Sequence, residues 1–146
     1  MAVEQQIVID APMEKLFPYL ADITRHAEWG QAGHKLEIEM TSERPIREGS
    51  TFRSIGQQFG RNEDTVTITE YISDRHIVYE AEGNAGTIRH SFDLAPADGG
   101  VQVTKGFDIV QAKFPFSIFA PIVKAFITPR ELQGDLQRIK KKIEGA

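Results

Sequence analysis

The segment from Phe114 to Ile143 constrains this chain more than any other. Its residues Ile118, Ile122, Ala125, Leu132, Leu136, Ile139 and Ile143 recur at intervals of three or four, and of seven across Pro129, which is the stripe of an α-helix with one buried face. Lys124, Arg130, Glu131, Asp135, Gln137, Arg138, Lys140 and Lys141 stand opposite. Such a helix needs a surface to lie on. Phe114, Phe116, Phe119, Val123, Phe126 and Ile127 make its first half apolar nearly all round, so that half must meet a core, a ligand, a partner or a membrane surface on more than one side. Pro121 and Pro129 lack the backbone N–H a helix interior needs, which predicts a start between Ser117 and Pro121 and a bend near Thr128.

The preceding residues supply that surface. Residues 3–9 alternate as a strand, and Asp10-Ala11-Pro12 then opens a helix, with Asp10 expected as its cap, Pro12 in its first turn, and Leu16, Phe17 and Leu20 on its apolar face. Residues 22–29 read as a second short helix, stopped by Gly30 and Gly33. From residue 34 onward the hydrophobic period becomes two. Strands are predicted at 34–41, 49–58, 63–72, 76–82, 87–94 and 101–110, with turns at Arg44-Pro45, Gly60, Ser73-Asp74, Gly83-Asn84 and Asp98-Gly99-Gly100. Connections this short force antiparallel neighbours. The result is an α+β chain in which seven strands curl around one long helix.

Composition narrows the partners. A chain of 146 residues, 40% hydrophobic and 26% charged, builds one domain with a single core. A net charge of −4 disfavours nucleic acid and anionic membranes as partners. The basic cluster Arg138, Lys140, Lys141 and Lys142 sits where cations complement a helix C-terminus. With no cysteine there is no disulfide, thiolate metal site or cysteine nucleophile. No stretch approaches the roughly 18 apolar residues of a membrane span, and residues 1–10 do not read as a secretion signal, so a cytoplasmic location is expected.

The opening Ile7-Val8-Ile9-Asp10-Ala11-Pro12-Met13-Glu14-Lys15-Leu16-Phe17, followed by Leu20, Asp22 and Trp29, resembles the START-like (SRPBCC) superfamily, in particular its polyketide cyclase/dehydrase and lipid-transport domains. The Gly99-Gly100 hairpin and the terminal Leu132, Leu136, Ile139, Lys140 pattern are similar to that superfamily too, so the resemblance spans the chain. It implies a helix-grip fold over residues 1–146, in which the sheet wraps the C-terminal helix and leaves an apolar cavity. Trp29 then resembles the superfamily's structural tryptophan near the cavity mouth.

Strand parity picks the side chains that could face such a cavity. Ile88, His90, Phe92 and Leu94 share one face, which makes His90 the best candidate for a polar ligand contact or a proton transfer. The plainer reading is a core histidine satisfied by a carbonyl or a neighbouring tyrosine. Phe52 is the inward residue of its strand and Tyr79 the likelier cavity hydroxyl, while Val66, Ile68, Glu70 and Ile72 share a face that would bring Glu70 inward unless a bulge intervenes. Leu36, Ile38 and Met40 read as core. Asp22 and His26 are four apart on a presumed helix, but no third ligand has a fixed spacing to them, so local pairing is expected and no metal or cofactor.

Three functions follow. The first is binding of a small hydrophobic molecule (a lipid, polyketide, quinone or similar) by His90, Phe92, Phe52, Tyr79, Trp29, Ile122 and Phe126. The second is a cyclase or dehydratase using His90 with Tyr79 or Glu70. The third is an interaction module, a homodimer included, that presents the aromatic start of the last helix. Burial of Phe116, Phe119 and Phe126 favours the first two, and exposure favours the third.

Overall fold

The computed structural model describes residues 3–30, 36–56 and 62–145. The elements are β1 (Val3–Ile9), α1 (Met13–Ala21), a 3₁₀ segment (Ile23–Glu28), β2 (Leu36–Met40), β3 (Thr51–Gly56), β4 (Asn62–Ile72), β5 (His76–Gly83), β6 (Gly86–Ala97), β7 (Gly100–Ala112), α2 (Phe116–Ile122), a π turn (Val123–Ile127) and α3 (Thr128–Glu144). The strands form one antiparallel sheet in the order β1-β7-β6-β5-β4-β3-β2. The chain therefore runs as a meander from β2 to β7, and β1 closes the far edge against β7. This is the α+β helix-grip architecture, with a curved sheet around a long C-terminal helix. Predicted strand positions 34, 35, 57 and 58, and the stop and turn signals at Gly33 and Gly60, lie outside the described residues.

The core lies between the concave face and α3, where Leu132, Leu136 and Ile139 are buried over β1 and β7. Phe52, Ile68, Ile77, Phe92 and Val103 rise to meet them from five strands, each fully enclosed. The 3₁₀ segment instead packs on β2, so the two ends of the concave face have different roofs.

The β6–β7 hairpin turns through Gly99 and Gly100, both with positive φ (87° and 141°). A side chain at Gly100 would collide with the Ile9 carbonyl, 2.1 Å from where a Cβ would stand, so this turn needs glycine for space as well as for φ.

Three expectations need correction, and the disruption expected in the last helix can be located. Asp10 does not cap α1: the cap position is Pro12, without a side-chain bond, and the Asp10 N–H donates to Glu144 Oε2 at 2.7 Å, tying the chain's start to α3. The last helix begins at Phe116, ahead of the predicted window, so Pro121 lies inside α2. The disruption expected near Thr128 is the π turn, where the Thr128 hydroxyl donates to the Val123 carbonyl at 3.0 Å. Finally, Glu70 and Ile72 face outward. A bulge between Ile68 and Glu70 inserts one residue into β4 and inverts its parity. Tyr71 turns inward, edge-on to Phe17 at 5.4 Å, and Glu70 meets His76 on the outer face.

Candidate functional site

A cavity of about 260 Å³ lies under the 3₁₀ segment and α3. Ile23, His26 and Trp29 form one wall, Asp135 of α3 another, and the floor comes from successive strands: Leu36 and Ile38, Ser54, Asp64 and Val66, Tyr79 and Ala81, His90, and Lys105. Leu36 and Ile38 thus do more than fill core. Three surface grooves are larger, about 380 Å³ beside Gln137, Lys140 and Glu144, about 530 Å³ beside Asp10, Lys15 and Tyr19 and about 560 Å³ beside Glu28, Arg138 and Lys142. Their margins are mostly exposed charged side chains, so they hold no desolvated chemistry.

Lys105 is the unexpected member. Only 2% exposed, its ammonium stands 4.9 Å from the centre of the Phe92 ring and 5.5 Å from that of Trp29. Both are cation–π distances, which offset part of the lost hydration. Burial pulls the amine's pKa down to about 8, against the opposing pull of the Asp135 carboxylate. Asp135 is itself held by Arg138 Nη2 at 2.6 Å, and Arg138 Nε also donates to the Trp29 carbonyl at 2.5 Å, which fixes the tryptophan to α3.

The two inward histidines are used differently. His26 Nε2 lies 2.7 Å from the Leu20 carbonyl, which can only accept, so Nε2 carries the proton; burial holds this imidazole neutral, with its pKa lowered to about 3. His90 stacks on Tyr79, ring centres 4.9 Å apart and 15° from parallel, with Phe107 edge-on at 5.4 Å. Its Nδ1 is enclosed and meets no hydrogen-bond partner; burial, then the Lys105 charge, push its pKa well down. Trp29 Nε1 is also enclosed and also meets no hydrogen-bond partner among the described residues. The plain reading of a core histidine satisfied by a carbonyl thus fits His26 and not His90.

His90, Tyr79 and Trp29 border the cavity, and Phe92 lies directly beneath Lys105. Phe52 is buried in the adjoining core. Three expected site residues stand elsewhere. Ile122 and Phe126 are 56% and 72% exposed on the outer side of the helix, because α3 rather than α2 covers the sheet. Glu70 is turned out by the bulge and cannot couple to His90. Asp22 and His26 take separate local partners: Asp22 accepts from Thr24 N at 3.1 Å and Thr24 Oγ1 at 2.5 Å, capping the 3₁₀ segment, and His26 bonds the Leu20 carbonyl. Lys105 was missed although Val101, Val103, Lys105 and Phe107 alternate as clearly as β6 does. Parity alone places it inward.

A curved antiparallel sheet gripping a long C-terminal helix, with two short helical segments after the first strand, defines a START-like helix-grip protein. The chain belongs to the polyketide cyclase / dehydrase and lipid transport family, whose model matches residues 1–144. Among solved structures it is similar to a START superfamily protein from Mycobacterium smegmatis, at 13% identity and a TM-score of 0.77 over 99% of this chain and 97% of that one. Protein MLL2253 from Mesorhizobium loti is similar at 14% identity and a TM-score of 0.71, over 100% and 98%. DynU16, a protein of the dynemicin biosynthetic locus, is similar at 13% and 0.65, over 98% of this chain and 47% of that one. At such identities the likeness is one of fold. No curated protein matches the chain. Among the described residues no helix is long and apolar enough to cross a membrane.

Proposed function

We propose that this protein binds a small hydrophobic molecule in the cavity between the sheet and the C-terminal helix. The observation that carries the reading is the pair of enclosed, unpartnered polar atoms, Trp29 Nε1 and His90 Nδ1, on a cavity whose lining includes the apolar Ile23, Leu36, Ile38, Val66 and Ala81. An orphaned buried donor costs about 1–3 kcal/mol, a cost a bound molecule would remove. At about 260 Å³ the cavity is slightly smaller than typical drug-sized pockets, which start near 300 Å³, so it suits a single ring system or short chain. Binding is favoured over cyclase or dehydratase chemistry because His90 and Tyr79 meet face to face, whereas proton relay needs them joined by a hydrogen bond of about 2.6–3.2 Å.

Native mass spectrometry of the purified chain, with extraction of whatever co-purifies, tests the reading. A discrete apolar molecule bound one to one, or uptake of 1-octanol, is expected, and both should be lost in Ala81→Phe, which fills the cavity. A bare chain that takes up no octanol overturns it.

A second reading rests on a separate observation. Phe114, Phe119 and Phe126 are 79%, 57% and 72% exposed, with Ile118, Ile122 and Ile127 beside them. An uncharged apolar face is compatible with itself, so its simplest occupant is the same face of a second copy. Sedimentation of the wild type against Phe119→Ser decides: a dimer that dissociates in the variant supports this reading, and a monomeric wild type removes it.

A further inference from the structure

We infer that the ligand of this cavity carries a carboxylate, seated between Lys105 Nζ and Trp29 Nε1, with its apolar body against Tyr79, Val66 and Ala81. This rests on the cavity being a ligand site, as proposed above, and adds the chemical class of the ligand.

The first argument is the sense of the polar groups. An indole N–H can only donate and an ammonium can only donate, so the two most buried polar side chains of the site both require an acceptor. Trp29 Nε1 has none. The ammonium stands over the tryptophan ring itself, 5.5 Å from its centre, so one ligand oxygen pair can reach both donors from the cavity side.

The second argument is charge. His26 and His90 are held neutral by burial, and Tyr79 is kept protonated for the same reason. Asp135 is balanced by Arg138. Asp64 borders the cavity on β4, three places along the sheet from the β7 strand of Lys105, where it lies against the Gly83 end of β5; the carboxylate that acts on Lys105 is Asp135. Lys105, on β7 between Trp29 and Phe92, thus leaves a positive centre in the cavity. A neutral carbonyl would satisfy the N–H and leave that charge uncompensated, whereas a carboxylate answers both through charge-assisted hydrogen bonds.

The probes are octanoic acid and 1-octanol, equal in chain length and different in head group. Titration near neutral pH can be followed through Trp29, the only tryptophan. The acid is expected to bind about tenfold tighter or better, the factor of one charge-assisted hydrogen bond. Lys105→Met should erase that margin. Trp29→Phe, followed by calorimetry, should narrow it. Lys105→Gln serves as the second uncharged variant if Lys105→Met does not fold. Equal affinities in the wild type overturn the inference, as does a margin that survives in the Lys105 variants, since the carboxylate would then sit on surface lysines. Binding of neither probe overturns the cavity reading itself, and this inference with it.

Discussion

The Lys105 ammonium lies over the face of the fully buried Phe92, 4.9 Å from the ring centre. A cation placed there costs stability. Its pKa falls from 10.5 to about 8 on folding, so the unfolded chain binds more protons between those values. The cost is fully present below about pH 8 and is relieved as pH rises towards 10.5. Lys105→Met keeps the shape and removes the charge, and should stabilise the protein by about 1–3 kcal/mol at neutral pH, with the gain shrinking near pH 10. Urea unfolding at both pH values checks this. A loss of stability in Lys105→Met at neutral pH would mean that the ammonium is compensated within the protein.

His26 and His90 make the fold sensitive to acid. Both folded pKa values lie below the ordinary 6.5, that of His26 at about 3, so below pH 6.5 the unfolded chain takes up protons that the native state refuses. Stability should therefore fall with pH in the window from 6.5 towards 3, by about 1.4 kcal/mol per pH unit for His26 alone. His90→Phe, which keeps a ring against Tyr79, should flatten part of that slope in denaturant melts across the window. An unchanged slope would mean that His90 is protonated in the native state.

Much of this site could be read from the strands. Parity placed His90 and Phe92 inward on β6 and Tyr79 inward on β5, because antiparallel strands with one buried face have a rigid period of two. The same rule covered Lys105 on β7, whose charge hid it. Two things were not legible. The bulge at Ile68/Glu70 leaves no local signature in Thr67-Ile68-Thr69-Glu70, yet it exchanges Glu70 for Tyr71 on the inner face. The apolar stripe of the last helix, in turn, records which side chains avoid water and not what covers them. Leu132, Leu136 and Ile139 found the sheet, while Ile118, Ile122 and Phe126 did not.

The residue expelled by that bulge takes part in a switch of opposite sign. His76 Nδ1 lies 2.5 Å from Asp93 Oδ1 and its Nε2 3.0 Å from Glu70 Oε1. Partial burial works against the charged imidazole, but the two carboxylates outweigh it and raise the pKa above 6.5. This contribution is fully present below pH 6.5 and is lost as pH rises through the folded value. His76→Gln should cost up to about 1 kcal/mol near pH 5.5 and much less near pH 9, because all three groups are partly solvated. An equal cost at both values, from thermal melts, would mean that the cluster acts by shape alone.

The two halves of the C-terminal helix should respond oppositely to truncation. Leu136 is fully enclosed in the core with Ile139, so Leu136→Ala removes buried methyl groups and leaves a hole that α3 cannot close without leaving the sheet, a loss of about 2–5 kcal/mol. Phe119 is 57% exposed, and in the isolated chain Phe119→Ser should change stability by no more than about 0.5 kcal/mol. The pairing of these variants separates packing from contact with something outside the chain. If Phe119→Ser costs as much as a core truncation and the cost grows with protein concentration, the aromatic face is buried by a second copy in solution, since only association makes stability depend on concentration. If the cost is large and independent of concentration, α2 closes onto its own sheet in solution, and the outward placement of Ile122 and Phe126 does not hold there.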